Sequence, residues 1–212
     1  MASKLEKIFL DSYNAHLLSL VTENAQPGML LDTDWGFLGL GTPEFRREEG
    51  WAWDFVADIN KDEYKDQEVD VNVVGHKISG KHTFASNISL PQYGLKVGSD
   101  FDREFSTVLT LTEVRARNFV SGRAKYELRE ALRKLPDNER KWVDDDLLIS
   151  TCYYVKQFVA EFRTQGKGKV KVALEKAEQT IGGDISITWK NDSTFVANLR
   201  TNVPLFVRGI KV

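Results

Sequence analysis

The sequence has few of the residues that make up common catalytic and metal sites. It contains one cysteine, Cys152, and three histidines, His16, His76 and His82, among 212 residues. A single cysteine excludes an intrachain disulfide and fits a reducing compartment. No histidine stands at ligand spacing from the cysteine or from a carboxylate, so we expect no metal centre. Cys152 lies within an apolar stretch, which predicts an inert, buried thiol.

Recognisable enzyme motifs are missing as well. There is no Gly-x-Ser-x-Gly elbow, no Walker loop and no Cys–His arrangement. Carboxylates are plentiful, but no two of them stand out in the sequence as a general acid and a general base. Gly39 and Gly41 match only part of a nucleotide-binding loop, and no helical pattern follows them. We therefore expect no catalytic residues, no cofactor and no enzymatic activity.

Long apolar runs and a strong charge bias are also lacking. No stretch approaches 18 apolar residues, which argues against a transmembrane helix, and no signal-peptide pattern precedes the first predicted helix. The net charge of -2 predicts no general attraction to nucleic acid. A local basic patch lies between Arg163 and Lys176, but no nucleic-acid-binding motif accompanies it. The sequence predicts a cytoplasmic protein that does not bind nucleic acid.

What the sequence does have is apolar material for one folded domain over residues 1–212. Hydrophobic residues make up 42% and charged residues 28% of the chain, as in globular proteins. The most conspicuous segment is residues 146–163, where β-branched and aromatic residues follow one another without glycine or proline. A strand of this length spans roughly 55 Å, about three times the usual length. Leu147, Ile149 and Tyr153 are expected to be core residues, whereas the outer half, residues 155–163, alternates more sharply between polar and apolar residues.

Periodicity predicts the remaining elements. Alternating or apolar segments predict further strands at residues 29–31, 51–56, 77–90, 105–119, 169–174, 184–189, 195–199 and 205–210. Helical spacing predicts amphipathic helices over residues 3–22 and 122–135. Asp137 is expected to cap a short helix that carries Trp142 and Val143, and the acidic residues 58–70 to form a solvated loop.

These elements predict an α+β fold with a twisted, mostly antiparallel sheet, long amphipathic hairpins and a few packed helices. Residues 77–90 are expected to pair with residues 105–119, and residues 147–163 with residues 169–189. Each pair would form an extended hairpin or near-hairpin, and the second would turn at the basic segment 166–169.

This order of elements resembles the pore-forming domain of the gasdermin family. The likeness extends from about Ser79 to the end of the chain and is one of order more than of residues. Residues 79–83, Ser-Gly-Lys-His-Thr, resemble the start of the family's first hairpin. Residues 146–155 are similar to the strand that follows its charged helices. Residues 188–210, with Ser-Thr-Phe-Val-Ala at 193–197, resemble its closing strands.

The resemblance implies membrane pore formation that leads to cell lysis or cell death. Monomers would move from the cytoplasm to anionic lipids, assemble into a homo-oligomeric ring and insert both strand pairs as membrane-spanning hairpins. The N-terminal helix would bind lipid through Lys4, Lys7 and Phe9. The inserting hairpins would contain Ile78, Phe84, Ile88, Leu109, Leu111, Phe158, Ala160, Phe162, Val170, Val172 and Leu174, with a basic tip of Lys167, Lys169 and Lys171.

The end of the chain differs from that of the family, and a second function also fits the pattern of strands. The family carries an inhibitory C-terminal segment, whereas only Lys211 and Val212 follow the last predicted strand. We therefore expect an active fragment, or a form that an inhibitory partner restrains. A soluble α+β module that binds a ligand or a protein, with no membrane activity, is the alternative, because alternating strands are common there too.

Overall fold

A computed structural model of the chain describes Leu10 and residues 14–18, 25–35, 44–56, 59–70, 78–82, 88–90, 95–99, 105–164, 170–174, 186–191, 194–199 and 203–212. The strands in these ranges are β1 (His16–Leu17), β2 (Met29–Asp34), β3 (Glu44–Trp51), β4 (Asp66–Asp70), β5 (Ile78–His82), β6 (Ile88–Leu90), β7 (Leu95–Ser99), β8 (Phe105–Phe119), β9 (Leu147–Thr164), β10 (Val170–Leu174), β11 (Ser186–Asn191), β12 (Thr194–Asn198) and β13 (Phe206–Lys211). The helices are α1 (Ala52–Phe55), α2 (Ala124–Arg133) and α3 (Asp137–Arg140), and Lys61–Glu63 forms a 3-10 turn.

The strand pairings define two sheets. Every strand pair in the described ranges is antiparallel. Ten strands form the main sheet, and β6, β7 and β10 form a second sheet in which β7 is central. With few helices beside these sheets, the predicted α+β, mostly antiparallel fold is confirmed.

Strand β9 lies at the centre of the main sheet. Its 18 residues include no glycine or proline, and β-branched and aromatic residues favour an uninterrupted strand. On one side it pairs first with β2 and then, from Thr151 to Thr164, with β8. On the other side it pairs with β13 and then with β12. The single long strand predicted here is confirmed.

The apolar core surrounds the first half of β9 on both faces, because successive strand residues point to opposite faces. Leu147, Ile149 and Cys152 belong to one buried cluster, together with Leu31 and Val207. The second cluster joins residues of β2, β8, α2, β9 and the C-terminus, among them Leu30, Phe119, Leu128, Leu148 and Val212. Burial of each large apolar side chain contributes about 1.5–3 kcal/mol, so these two clusters contribute strongly to stability.

The thiol of Cys152 is fully buried, as predicted. It donates a hydrogen bond to the carbonyl oxygen of Ala25 at 3.3 Å. Burial raises the pKa of the Cys152 thiol, which leaves little reactive thiolate.

Helix α2 confirms the helical pattern predicted for residues 122–135. Ala124, Leu128 and Leu132 recur at helical spacing and are buried. The predicted capping role of Asp137 is wrong, because Pro136 is the N-cap of α3 and Asp137 is its first residue. Because proline has a fixed φ angle, α3 begins at Asp137, one residue earlier than predicted.

The helix predicted over residues 3–22 is wrong at its C-terminal end. Leu10 is helical, and its carbonyl accepts a hydrogen bond from the N–H of Asn14 at 2.9 Å. Asn14 has a left-handed backbone (φ 48), which ends a helix. His16 and Leu17 then form β1, which pairs with β13. Residues 1–9 lie outside the described ranges.

The strand predicted over residues 51–56 is also wrong. Trp51 ends β3, and helix α1 follows at once. The Asp54 carboxylate accepts a hydrogen bond from the N–H of Trp51 at 3.2 Å, and the N–H of Ala52 donates to the carbonyl of Gly28 at 2.9 Å. These bonds turn the chain into a helix although its apolar residues alternate.

The solvated loop predicted for residues 58–70 contains an edge strand. Strand β4 pairs with β8, where Arg115 contacts Glu68 at 2.6 Å and Arg117 forms an ion pair with Asp66. Each of these ion pairs joins diagonal neighbours on the two strands, and opposite charges so placed stabilise a sheet, so these arginines allow an acidic segment to become a strand.

Gly209 of β13 has no room for a side chain. A Cβ atom there would lie 2.5 Å from the carbonyl oxygen of Leu148 and 2.7 Å from the Leu147 side chain. We expect Gly209→Ala to lower the free energy of unfolding in urea by about 1–3 kcal/mol, the usual cost of overpacking. Gly122→Ala is the control, because no atom lies within 4 Å of a Cβ there. Equal stabilities of the two variants would contradict the close contact.

Candidate functional site

The hairpin predicted between residues 147–163 and 169–189 is wrong. Strand β10 pairs with β7, and the neighbours of β9 are β2, β8, β12 and β13. The outer half of β9 is covered by β8 on one edge and by β12 on the other from Gln157 to Glu161. A hairpin partner therefore has no free edge there on which to add.

The ladder between β7 and β10 continues the register of the ladder between β8 and β9. Phe105 lies opposite Thr164, and the next described pair is Ser99 opposite Val170. Five residues separate these pairs on each side, 100–104 and 165–169, so neither side carries an insertion. Residues 166–169, where the turn is predicted, lie outside the described ranges.

The hairpin predicted between residues 77–90 and 105–119 is confirmed in part. Strand β5 pairs with β8, with Ile78 opposite Leu109, and β6 pairs with β7, with Ile88 opposite Val97. If the register of β5 and β8 continued, Ile88 would lie opposite Ser99. It lies opposite Val97 instead, so the β6–β7 ladder is offset by two residues from the β5–β8 ladder. The first arm thus contributes β5 to the main sheet and β6 to the second sheet, whereas the second arm, β8, lies in the main sheet.

The second sheet separates apolar from polar residues by register. The two apolar rows across β6, β7 and β10 contain Ile88, Val97 and Val172, and Leu90, Leu95 and Leu174. The row between them contains Ser89, Lys96 and Ala173. Because residues alternate between faces along a strand, the two apolar rows share one face and the polar row occupies the other.

The outer part of the main sheet shows the same separation. Phe158 lies opposite Leu111 on β8 and opposite Ala197 on β12, and both of these neighbours are fully buried. The adjacent row is polar and is hydrogen-bonded across four strands. Its members are Thr112, Gln157, Asn198 and Ser186, with successive distances of 3.1, 3.1 and 2.8 Å.

The residues that the gasdermin resemblance assigns to insertion fall into three groups. The main sheet contains Ile78, Leu109, Leu111, Phe158, Ala160 and Phe162. The second sheet contains Ile88, Val170, Lys171, Val172 and Leu174. Outside the described ranges lie Lys4, Lys7, Phe9, Phe84, Lys167 and Lys169.

A buried carboxylate at the start of β9 was missed, because its sequence signal was only a run of three acids. Asp146 is 3% exposed, and its Oδ2 has no hydrogen-bond partner in the described part of the chain. Burial and the negative charges of Glu49 and Asp32 raise the pKa of Asp146 to about 7, against the opposing charge of Arg47.

The preceding residue fixes this carboxylate in place. Asp145 has a left-handed backbone (φ 73). Its carbonyl accepts hydrogen bonds from Thr33 Oγ1 at 2.7 Å and from Trp35 Nε1 at 2.5 Å, and its carboxylate contacts Lys211 at 2.6 Å. Within the described ranges, no group of three or more His, Cys, Asp or Glu residues could hold a metal ion.

Comparisons with known proteins add no assignment to this geometry. No protein-family model matches the chain, and no curated protein matches it. Among the helices that the structure describes, none is both long and apolar enough to cross a membrane. The two-faced second sheet remains the most distinctive feature of the described residues.

The pKa of Asp146 predicts a pH-dependent stability. The folded-state value, about 7, lies above the ordinary value of 3.8, so the folded protein binds the extra proton and loses stability as pH rises between these values. Asp146→Asn removes this titration. Relative to that of the wild type, the free energy of unfolding of the variant should rise by up to about 1.4 kcal/mol per pH unit between pH 4 and 7. Above pH 7 the difference should stay constant. Urea unfolding at several pH values measures the difference, and parallel curves would refute the assignment.

Proposed function

We propose that this protein forms pores in membranes by assembling into a homo-oligomer on anionic lipid and inserting strands of the second sheet. The observation that carries the proposal is the two-faced second sheet, whose β7–β10 ladder keeps the register of β8–β9. The gasdermin resemblance points to the same activity. The inserting element is the set β6, β7 and β10 instead of two separate hairpins. Along the chain, β5 and the outer part of β8 adjoin this set.

The dimensions of the strands support this proposal. A membrane-spanning strand needs about 9–11 residues. Strands β7 and β10 have five residues each, and their pairs are numbered in step with those of β8 and β9. A full span would therefore also take in the outer residues of β8 and β9.

The alternation of residues also fits a lipid environment. Spanning strands carry apolar residues toward lipid and polar residues toward a watery lumen. The apolar rows with Val97 and Leu95 at their centres suit the lipid side, and the row with Lys96 suits the lumen. Strand pairing between subunits would satisfy the backbone groups at the edges of β6 and β10, as lipid requires.

Dye release from vesicles tests the activity directly. Vesicles that contain an anionic phospholipid should leak on addition of the protein, and ring-shaped assemblies should appear by electron microscopy. Vesicles of neutral lipid alone should leak at least tenfold more slowly. A protein that stays monomeric and releases no dye from either vesicle would refute pore formation and favour the soluble binding module.

Two neighbouring substitutions on β10 test which face meets lipid. Val172→Asp places a charge in an apolar row, and we expect at least tenfold slower dye release because a charge toward lipid is unfavourable. Ala173→Asp is the matched control, since it places the same charge opposite Lys96 in the polar row and should change release less than twofold. Circular dichroism verifies that both variants fold. Equal release by the two variants would contradict the proposed orientation.

A further inference from the structure

A line of irregularities crosses the main sheet at the level of Glu113 on β8 and Lys156 on β9, and we call it the crease. The β8–β9 ladder pairs Thr112 with Gln157 and Val114 with Val155, but it skips the position between them. Glu113 has a left-handed backbone (φ 51) within a 15-residue strand. A residue other than glycine rarely adopts this conformation, and in a strand it bends the extended backbone locally, here without a change of pairing register.

The strands that flank β8 and β9 are exchanged at the same level. On β9, the pairing with β13 extends to Tyr153, and the pairing with β12 extends to Gln157. On β8, the pairing with β4 extends to Arg115, and the pairing with β5 extends to Leu109. Both edges therefore change partner at one level, and β8 and β9 are the only described strands that cross it.

The described residues on either side of the crease make different contacts. Among the described side chains of β8 and β9, those that belong to the clusters around Leu31 and Leu30 lie between Leu147 and Tyr154 and at Phe119. We call this side the core half. The outer half consists of β5, residues 105–112 of β8, residues 157–164 of β9, β11 and β12. Its described polar row is held by hydrogen bonds between side chains, such as Gln157 to Asn198 at 3.1 Å.

We propose that the crease is a hinge, at which the outer half opens and reorients as a unit while the core half stays folded. Few strands must bend, because only β8 and β9 cross the line. The bend is already present at Glu113, whose carboxylate contacts the Lys156 ammonium at 2.7 Å on the exposed surface. The hinge is a property of the isolated protein, so it stands or falls separately from pore formation.

Hydrogen exchange with mass spectrometry on the lipid-free protein tests the hinge. Amides in residues 105–112 and 157–164 should exchange as one class, at least tenfold faster than amides in residues 114–119 and 147–155, since local opening follows the distribution of buried contacts. The change should be a step at Glu113 and Lys156. Uniform exchange along β9, or a smooth gradient toward Thr164, would overturn the proposal.

Substitutions at Glu113 test the backbone bend itself. Glu113→Val and Glu113→Asn both remove the charge that faces Lys156, but a β-branched residue disfavours the left-handed conformation that asparagine tolerates. We expect Glu113→Val to unfold about 2–4 °C below Glu113→Asn, although valine is the better strand former. Glu113→Gly should behave like Glu113→Asn. Equal midpoints for the valine and asparagine variants would overturn the bend.

Vesicle leakage separates the two proposals. If the exchange step is present and the wild type releases no dye, the hinge holds and pore formation fails. If dye is released but the exchange is uniform, pore formation holds and the hinge fails.

Discussion

The antiparallel ladder between β8 and β9 is the constraint on which the rest of the structure depends. It covers positions from Asn118 opposite Thr151 to Phe105 opposite Thr164. Each strand has one remaining edge, and buried backbone groups must find hydrogen-bond partners there. Strands β13 and β12 fill that edge of β9, and β4 and β5 fill that edge of β8. The pairs between β7 and β10 in the second sheet are numbered in step with this ladder.

The ladder connects two regions with different physical character. At one end, β9 is buried on both faces between the clusters around Leu31 and Leu30. At the other end, each strand has an apolar and a polar face. A strand buried on both faces is held in place, whereas a two-faced strand can exchange one partner surface for another of the same polarity. This contrast links the proposed insertion of the second sheet to a hinge in the main sheet.

Local pattern alone predicted much of the fold. The long strands β8 and β9, the helix α2 and the closing strands β12 and β13 follow from alternation, helical spacing and the absence of glycine and proline. Local pattern failed where one hydrogen bond or one backbone angle decides the structure, as at Asn14 and at Trp51. It also failed at β4, because the partners of its acids, Arg115 and Arg117, lie about 50 residues away in the sequence.

The sequence by itself determined which segments extend, which coil and which residues of each strand share a face, because these properties depend on neighbours along the chain. Only the tertiary structure decided which strands pair. The choice of β7 over β9 as the partner of β10 depends on which edges are already occupied. The raised pKa of Asp146 likewise arises from burial beside Glu49 and Asp32, which β2 and β3 bring to the start of β9. Edge occupancy and burial are properties of the assembled chain, and no local pattern encodes them.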